Sequence, residues 1–572
     1  MGDNINNRHL GEVYTPEHIA LKMKEMAKEN LGDDFEEKFV IWDNCCGTFN
    51  LEKVLDGTGE LFCSTLRKQD IRRNQKEQGE KFVYNFLTED IEQLKSLQAM
   101  WGEEYENLPR RLVEILENED EKPLLFYINP PYAGTGNFGK YVETQNKEVD
   151  KDTELRKMMR NDRMGYASDN TYTQWLYKIT KMKKAYANKK MYIMLISPLL
   201  YLTANSYANF RELFFSEFKM KDGIIFRSTE FGNLCGRYGI SITVWEPGVQ
   251  ENKQEFKFKL YRTEKSGFNQ FGFKTIYNSM GQRGDEIVVE DNMNLARVIS
   301  DVTLSSGCKV SNKKKVYWEE NGIAYIFSKG NNVYHNCTEV GIMSRPFSDG
   351  GGLTVTEDNI KDAMAYLVAR LSVGIYDRSW IWDKDEYLRP DVNSEAYKVL
   401  QENGIIYSIF NDNSHLVGIN TVVDGENIEI KNDFHFMSVE MTSKMFTENG
   451  LEVPDDLEER LIVKYIKDAI NSGYMLKSGI EVLKYAQRLF IDTYKLRLEF
   501  NKKEENKIYQ CTRWDAGYYQ LKWALKEFDK DKYKEFRSIY RKFSDELIEY
   551  VYACGFLKHR PIDLNGNITL ER

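Results

Sequence analysis

The chain has 572 residues, of which 41% are hydrophobic and 29% charged, and its formal net charge is −10. That balance belongs to a water-soluble globular protein of two to four domains, and it excludes fibrous and low-complexity classes. No run approaches the roughly 20 consecutive apolar residues of a membrane span, and the opening MGDNINNRHL lacks the pattern of a signal peptide, so none is expected.

Eight cysteines form no C-x-x-C pair, and with six scattered histidines they offer no metal set, so no metal is expected. Reduced cysteines and a cytoplasmic location follow as expectations. Charge is unevenly spread. Residues 351–460 carry 9 Lys+Arg against 22 Asp+Glu, whereas residues 461–572 carry 22 against 16. A basic face that meets phosphates is compatible with the acidic total.

In chain order, Gly11-Glu12-Val13-Tyr14-Thr15-Pro16 leads into apolar positions Ile19, Met23 and Met26 at helical spacing, with Thr15 a possible cap. Phe39–Asp43 reads as a first strand. It is followed by Asn44-Cys45-Cys46-Gly47-Thr48-Phe49-Asn50-Leu51, a turn of small residues that lets backbone N–H groups approach an anionic group before a helix begins. A second strand is expected over 61–66 and a third over 81–87. Asp70 can cap the next helix.

Leu124-Leu125-Phe126-Tyr127-Ile128 reads as a buried parallel strand, ended abruptly by Pro130 and Pro131. Proline holds its predecessor extended, so Asn129 stands at the carboxyl end of a strand, where open α/β sheets bind ligands. The Asn129 side-chain oxygen and the Pro130 carbonyl can both accept from one exocyclic NH2, and Tyr132 offers a stacking face. Gly134-x-Gly136-x-x-Gly139 is followed by a polar stretch to residue 163, which reads as a loop that orders over a ligand or as unstructured chain. A helix at 171–188, a strand at 191–198, a helix near 206–218, a strand at 222–227 and an antiparallel edge strand at 239–245 complete an alternating pattern.

Beyond residue 250 the pattern is mixed, with short strands at 287–289 and 316–318, and Lys313, Lys314 and Lys315 are a candidate phosphate contact. From Pro454 the pattern is helical, and Leu483, Ala486, Leu489 and Phe490 form one stripe. Three regions are expected: a catalytic domain over 1–250, a mixed α/β target-recognition region over 251–453 and a helical DNA-recognition region over 454–572.

Three motifs in this order, the T-P segment, the small-residue loop and Asn129-Pro130-Pro131-Tyr132, resemble the gamma-class S-adenosylmethionine-dependent N6-adenine DNA methyltransferases of stand-alone type, without a nuclease domain. The resemblance covers about residues 10–247. It implies a doubly wound, mostly parallel, seven-stranded Rossmann-like sheet, and a site-specific DNA adenine methyltransferase acting on an adenine flipped out of double-stranded DNA. The family's loop pattern, D-P-x-x-G-x-G, is departed from at Asn44 and Phe49, and Phe49 cannot adopt positive φ cheaply.

The resemblance further implies cofactor contacts from Tyr14, Thr15, Asp43, Cys46, Gly47, Asn50, Asp70, Asn85 and Phe86. Catalysis falls to Asn129, Pro130, Pro131 and Tyr132. Phe231 is either a second stacking wall for the base or an ordinary core residue. A bacterial or phage origin and a separately encoded restriction endonuclease as partner are implied in the same way. None of the eleven prolines precedes a cysteine, which disfavours cytosine-C5 chemistry with its Pro-Cys nucleophile. A protein glutamine methyltransferase, which shares the tetrapeptide, and a catalytically degenerate DNA-binding homologue are the alternatives.

Overall fold

A computed structural model describes residues 14–91, 107–118, 121–132, 153–232, 238–278, 298–300, 303–305, 309–311, 316–328, 333, 340–346, 352–373, 380–382, 385–423, 426–503 and 510–568. The chain divides into two compact units. One comprises Met1–Gly281, Ser379–Asp385 and His559–Arg572, and the other Gln282–Arg378 and Glu386–Lys558.

The first unit is built on one sheet. Its strands are β1 (Val40–Asp43), β2 (Leu61–Thr65), β3 (Glu80–Val83), β4 (Leu124–Ile128), β5 (Met191–Pro198), β6 (Phe218–Arg227), β7 (Gly239–Pro247), β8 (Glu255–Glu264) and β9 (Gly267–Tyr277), with a terminal pair of residues, Ile562–Asp563. The spatial order is terminal strand, β9, β8, β6, β7, β5, β4, β1, β2, β3. From β3 to β5 all pairs are parallel, and β7 runs antiparallel to both β5 and β6. The expected seven strands thus form one stretch of a ten-stranded sheet. The strand expected at an edge, β7, lies inside it. Its Ser241 and Thr243 are both buried, their hydroxyls donating to Ser197 O at 3.0 Å and Leu195 O at 3.5 Å. Small hydroxyl side chains satisfied by a neighbouring strand's carbonyls can sit in a core.

β4 is buried at all five positions because both sheet faces are covered. On one face Leu125 and Tyr127 join Ile41, Met194, Ile196 and Ile240, under Ile19, Met23 and Met26 of α1 (Glu17–Leu31). On the other, Trp42 packs on Phe126 and Phe86 with ring centroids 5.6 and 5.7 Å apart. A helix α2 (Arg110–Glu117) precedes β4, and the β4–β5 crossover carries α3 (Glu154–Asn161) and α4 (Thr171–Ala185). The polar stretch read as loop therefore contains a helix over part of its length. Thr153 caps α3 through Arg156 N, and Arg156 is paired with Asp169. Gly134, Gly136 and Gly139 lie outside the described residues, as do residues 287–289.

Two later segments return to the first unit. Ile562 and Asp563 pair with Phe273 and Gly272 of β9, and Trp380 packs edge-on against Phe271. Lys274 holds them together. It is fully buried, forms a close ion pair with Asp385 and donates to His559 O at 2.6 Å. The first compact unit therefore extends well past residue 250 and recruits residues from the far end of the chain.

In the second unit a four-stranded sheet orders Gly352–Val355, Ala324–Ser328, Val340–Met343 and Ser414–His415. Its helices include α5 (Ile360–Ser372), α6 (Glu395–Phe410), α7 (Leu461–Asn471), α8 (Lys477–Asp492), α9 (Tyr518–Phe528) and α10 (Lys530–Ala553). Leu483, Ala486, Leu489 and Phe490 are all buried, as the stripe required. Asp515 is a buried anion that accepts from Asn432 N at 3.1 Å and from Arg460 at 3.3 Å, and it pairs with Arg513. A Cβ on Gly418 would lie 2.2 Å from Asp515 Oδ1, so only glycine lets the backbone approach there. Among the described residues, no helix is long and apolar enough to cross a membrane.

Removing one partner of a buried ion pair leaves the other charge uncompensated. Asp385→Ala should therefore destabilise the first unit by about 3–5 kcal/mol, read as the shift in its urea unfolding transition. A loss below about 1 kcal/mol would mean that the pair behaves as a surface contact.

Candidate active site

The carboxyl ends of β1, β2 and β4 open onto a cleft. Tyr14, Thr15, Asp43, Cys46, Gly47, Asn50, Asp70, Phe86, Asn129 and Pro131 line it, all named from sequence. Asn44, Cys45, Arg67, Tyr84 and Trp175, which were not among the expected site residues, line it too. Asn85 does not. Its side-chain oxygen accepts from Leu87 N at 3.1 Å, closing a turn after β3. Lys313, Lys314 and Lys315 lie outside the described residues.

The loop after β1 shows how the chain meets its departures from the family pattern. Gly47 has φ +48° and Phe49 has φ +61°. Phe49 thus keeps the left-handed backbone, which costs a non-glycine residue about 1–3 kcal/mol. Its ring is fully buried against Cys46, Cys63 and Leu61 and is not among the lining residues. Burying a phenylalanine contributes about 1.5–3 kcal/mol, enough to offset the strain. Asn44 accepts the Trp175 indole N–H at 2.9 Å, while its Nδ2 is buried without an acceptor. The expected helix after the loop is only the short turn Glu52–Val54.

Two acids meet beneath this loop. Asp43 accepts from Cys45 N at 2.8 Å. Beside it, Glu52 is fully buried, and among the described residues no basic side chain is paired with its carboxyl group. Burial raises Asp43 to about 6 and Glu52 well above the ordinary carboxylate range, and each sits within hydrogen-bond reach of the other. Like-charged carboxylates this close cannot both ionise in a dry site. Glu52 holds the proton and donates it to Asp43.

The far wall is aromatic. Phe86 and Trp175 stack at 5.8 Å and 24°, with Trp175 on α4. Behind them Lys178, buried on the same helix, donates to Glu89 O at 2.7 Å and to the Tyr84 hydroxyl at 3.1 Å, its ammonium 4.7 Å from the Phe86 ring centre. Burial lowers Lys178 to about 7. Nothing local in sequence marked Lys178 or Glu52, because a lone charge among helical positions reads as a solvated one.

At the mouth stands Asn129. Its Nδ2 donates to Thr15 Oγ1 at 2.8 Å, and its Oδ1 accepts from the Tyr132 hydroxyl at 2.6 Å. Thr15 was expected to cap α1. The N-cap is instead Pro16, with no side-chain cap, and Thr15 reaches across to Asn129 at the end of β4. Tyr132 packs against the apolar cluster that contains Phe226 and Phe231. Phe231 is itself buried, stacked on Phe226 at 6.1 Å and 27°, and does not line the cleft. Asp70 stands in the first turn of Lys68–Arg73 and takes a bond from the Thr65 hydroxyl at 3.4 Å. Among the described residues no cluster of acids, histidines or cysteines could hold a metal ion.

No family model matches the chain, and no curated protein matches it. Among solved structures it is similar to the type IIG restriction endonuclease BpuSI, at 11% identity over 96% of this chain and 67% of that one, with TM-score 0.31. It is also similar to the ATP-dependent Type ISP restriction-modification enzyme LlaBIII bound to DNA, at 9% identity over 96% and 48%, with TM-score 0.33. A third is DrdV in a DNA complex, at 13% identity over 45% and 28%, with TM-score 0.29. The chain spans 28% to 61% of the length of the first structures it matches.

The acid pair sets a pH dependence. An acid raised on folding binds its proton more tightly in the native state, so its contribution to stability is present below the ordinary carboxylate range and is lost as pH rises. For Asp43 the loss runs from that range to about 6, and for Glu52 it continues higher. Glu52→Gln, whose amide can donate to an ionised Asp43, should therefore gain stability relative to the parent between pH 4.5 and 7.5, by about 1 kcal/mol or more. Parallel urea-midpoint profiles for the two proteins would mean that no proton is shared.

Proposed function

We propose that this chain is a site-specific DNA methyltransferase that moves a methyl group from S-adenosylmethionine to N6 of an adenine flipped out of duplex DNA. The observation that carries the reading is Asn129-Pro130-Pro131-Tyr132 at the carboxyl end of β4, with Asn129 and Pro131 on the wall of the cleft formed by the β1 loop. Phe49 supports a working site, since its ring packs against Cys46, Cys63 and Leu61 and does not line the cleft.

The residues of the cleft fit the cofactor. Phe86 and Trp175 offer aromatic faces for a purine, and the unpaired Asn44 Nδ2 is a donor without an acceptor. Asp70 can accept from ribose hydroxyls, and Gly47 keeps the loop backbone open, a Cβ there meeting nothing nearer than 3.8 Å. Tyr14, Asp43, Cys46 and Asn50 would enclose the amino-acid end. When bound, S-adenosylmethionine supplies an electrophilic methyl group on a sulfonium.

The chain's own part is positioning. A base inside a duplex cannot reach the cleft, so it must be flipped out, at a few kcal/mol. Tyr132 would stack on it, with Phe231 behind in the same apolar cluster. Asn129 Oδ1 and the Pro130 carbonyl would accept hydrogen bonds from the two N6 protons, orienting the amine and raising its electron density, and one of those protons would leave as the nitrogen gains the methyl group. Lys313, Lys314 and Lys315 are proposed phosphate contacts in the second unit, and a separately encoded endonuclease is the proposed partner.

The test is single-molecule sequencing of DNA from a methylation-free host that expresses the chain. N6-methyladenine at one recurring sequence is expected. Unmodified DNA, or methyl groups on cytosine, would overturn the proposal.

A further inference from the structure

Thr15 lies in the cleft, and a residue there is ordinarily assigned to the ligand. Its bonds point elsewhere. The Thr15 hydroxyl takes the Asn129 Nδ2 proton at 2.8 Å, and the Thr15 carbonyl takes the Asn50 Nδ2 proton at 3.0 Å. Thr15 is 5% exposed, so both bonds are largely shielded from water. One residue before α1 thus ties the β1 loop to the end of β4.

An asparagine amide presents an acceptor on one side and a donor on the other, and rotation by half a turn exchanges them. Only one orientation serves an amine that must donate. With Nδ2 committed to Thr15, Oδ1 faces the Tyr132 side, where the Tyr132 hydroxyl occupies it at 2.6 Å. The amine that takes that hydroxyl's place meets an acceptor.

Resting on the methyltransferase reading above, we propose that Thr15 is a positioning residue that fixes the rotamer and amide orientation of Asn129, so that Oδ1 is the atom offered to the target amine. Thr15 acts through Asn129, and the effect belongs to turnover. An apolar residue at position 15 leaves the amide without its hydroxyl partner, so the productive orientation becomes one of several.

Thr15→Val keeps the side chain's shape and removes its hydroxyl, and Thr15→Ser keeps the hydroxyl. Both should be compared with the full-length parent for S-adenosylmethionine affinity by calorimetry, for single-turnover methyl transfer at saturating cofactor and DNA, and for thermal unfolding. For Thr15→Val, transfer should fall about tenfold or more, with cofactor affinity within about threefold of the parent. Thr15→Ser should recover most of the rate. A rate for Thr15→Val within twofold of the parent overturns the inference, as does a loss that follows weakened cofactor binding. If Thr15→Val does not fold, a Thr15→Ser variant that folds but transfers at well under half the parental rate overturns it as well. A parent that transfers no methyl group to DNA overturns the methyltransferase reading itself, whereas with a parent that transfers normally the variants report on Thr15 alone.

Discussion

Asn129 leaves β4 with both ends of its amide engaged, one by Thr15 and the other by Tyr132. Everything around it serves that placement. Five buried apolar residues anchor the strand, and two prolines forbid it to continue as helix or ladder. The Thr15 carbonyl then binds Asn50, so the segment before α1, the β1 loop and the end of β4 are held as one wall. On the proposed reading, such preorganisation is the chief contribution a protein can make to a displacement that needs no covalent intermediate.

The cleft is assembled from unfavourable local choices offset by long-range packing. Phe49 carries a left-handed backbone and compensates by burying its ring. Glu52 is a carboxyl group with no basic partner, tolerated because it keeps its proton and donates to Asp43. Lys178 sits under aromatic rings near its neutral point, held by a carbonyl and a phenol. Strain and perturbed acids of this kind concentrate at functional sites.

Sequence exposed whatever rests on local rules. The apolar run of β4 and its proline stop, the small-residue turn after β1 and the alternation of strands and helices each follow from neighbours in the chain. What remained hidden rests on partners far away. Asn44 looked like a missing proline until its oxygen met the Trp175 indole. Thr15 looked like a helix cap, the local use for a hydroxyl before proline, until its partner proved to be Asn129. The strand over 239–245 looked like an edge, and the β5 carbonyls that satisfy its buried Ser241 and Thr243 lie far off in the chain. The return of residues near 385 and 562 to the first unit hangs on a buried Lys274, which no periodicity marks.

If the Asn129 amide acts on the reacting amine rather than on the cofactor, its removal must appear in rate and not in binding, because such a group works in the transition state. Single-turnover methyl transfer by Asn129→Ala, measured beside its S-adenosylmethionine affinity, separates the two roles. Transfer should fall by about a hundredfold or more, with cofactor affinity within about threefold of the parent. Retention of a substantial fraction of the parental rate, or a loss matched by weakened cofactor binding, would contradict the role assigned to Asn129.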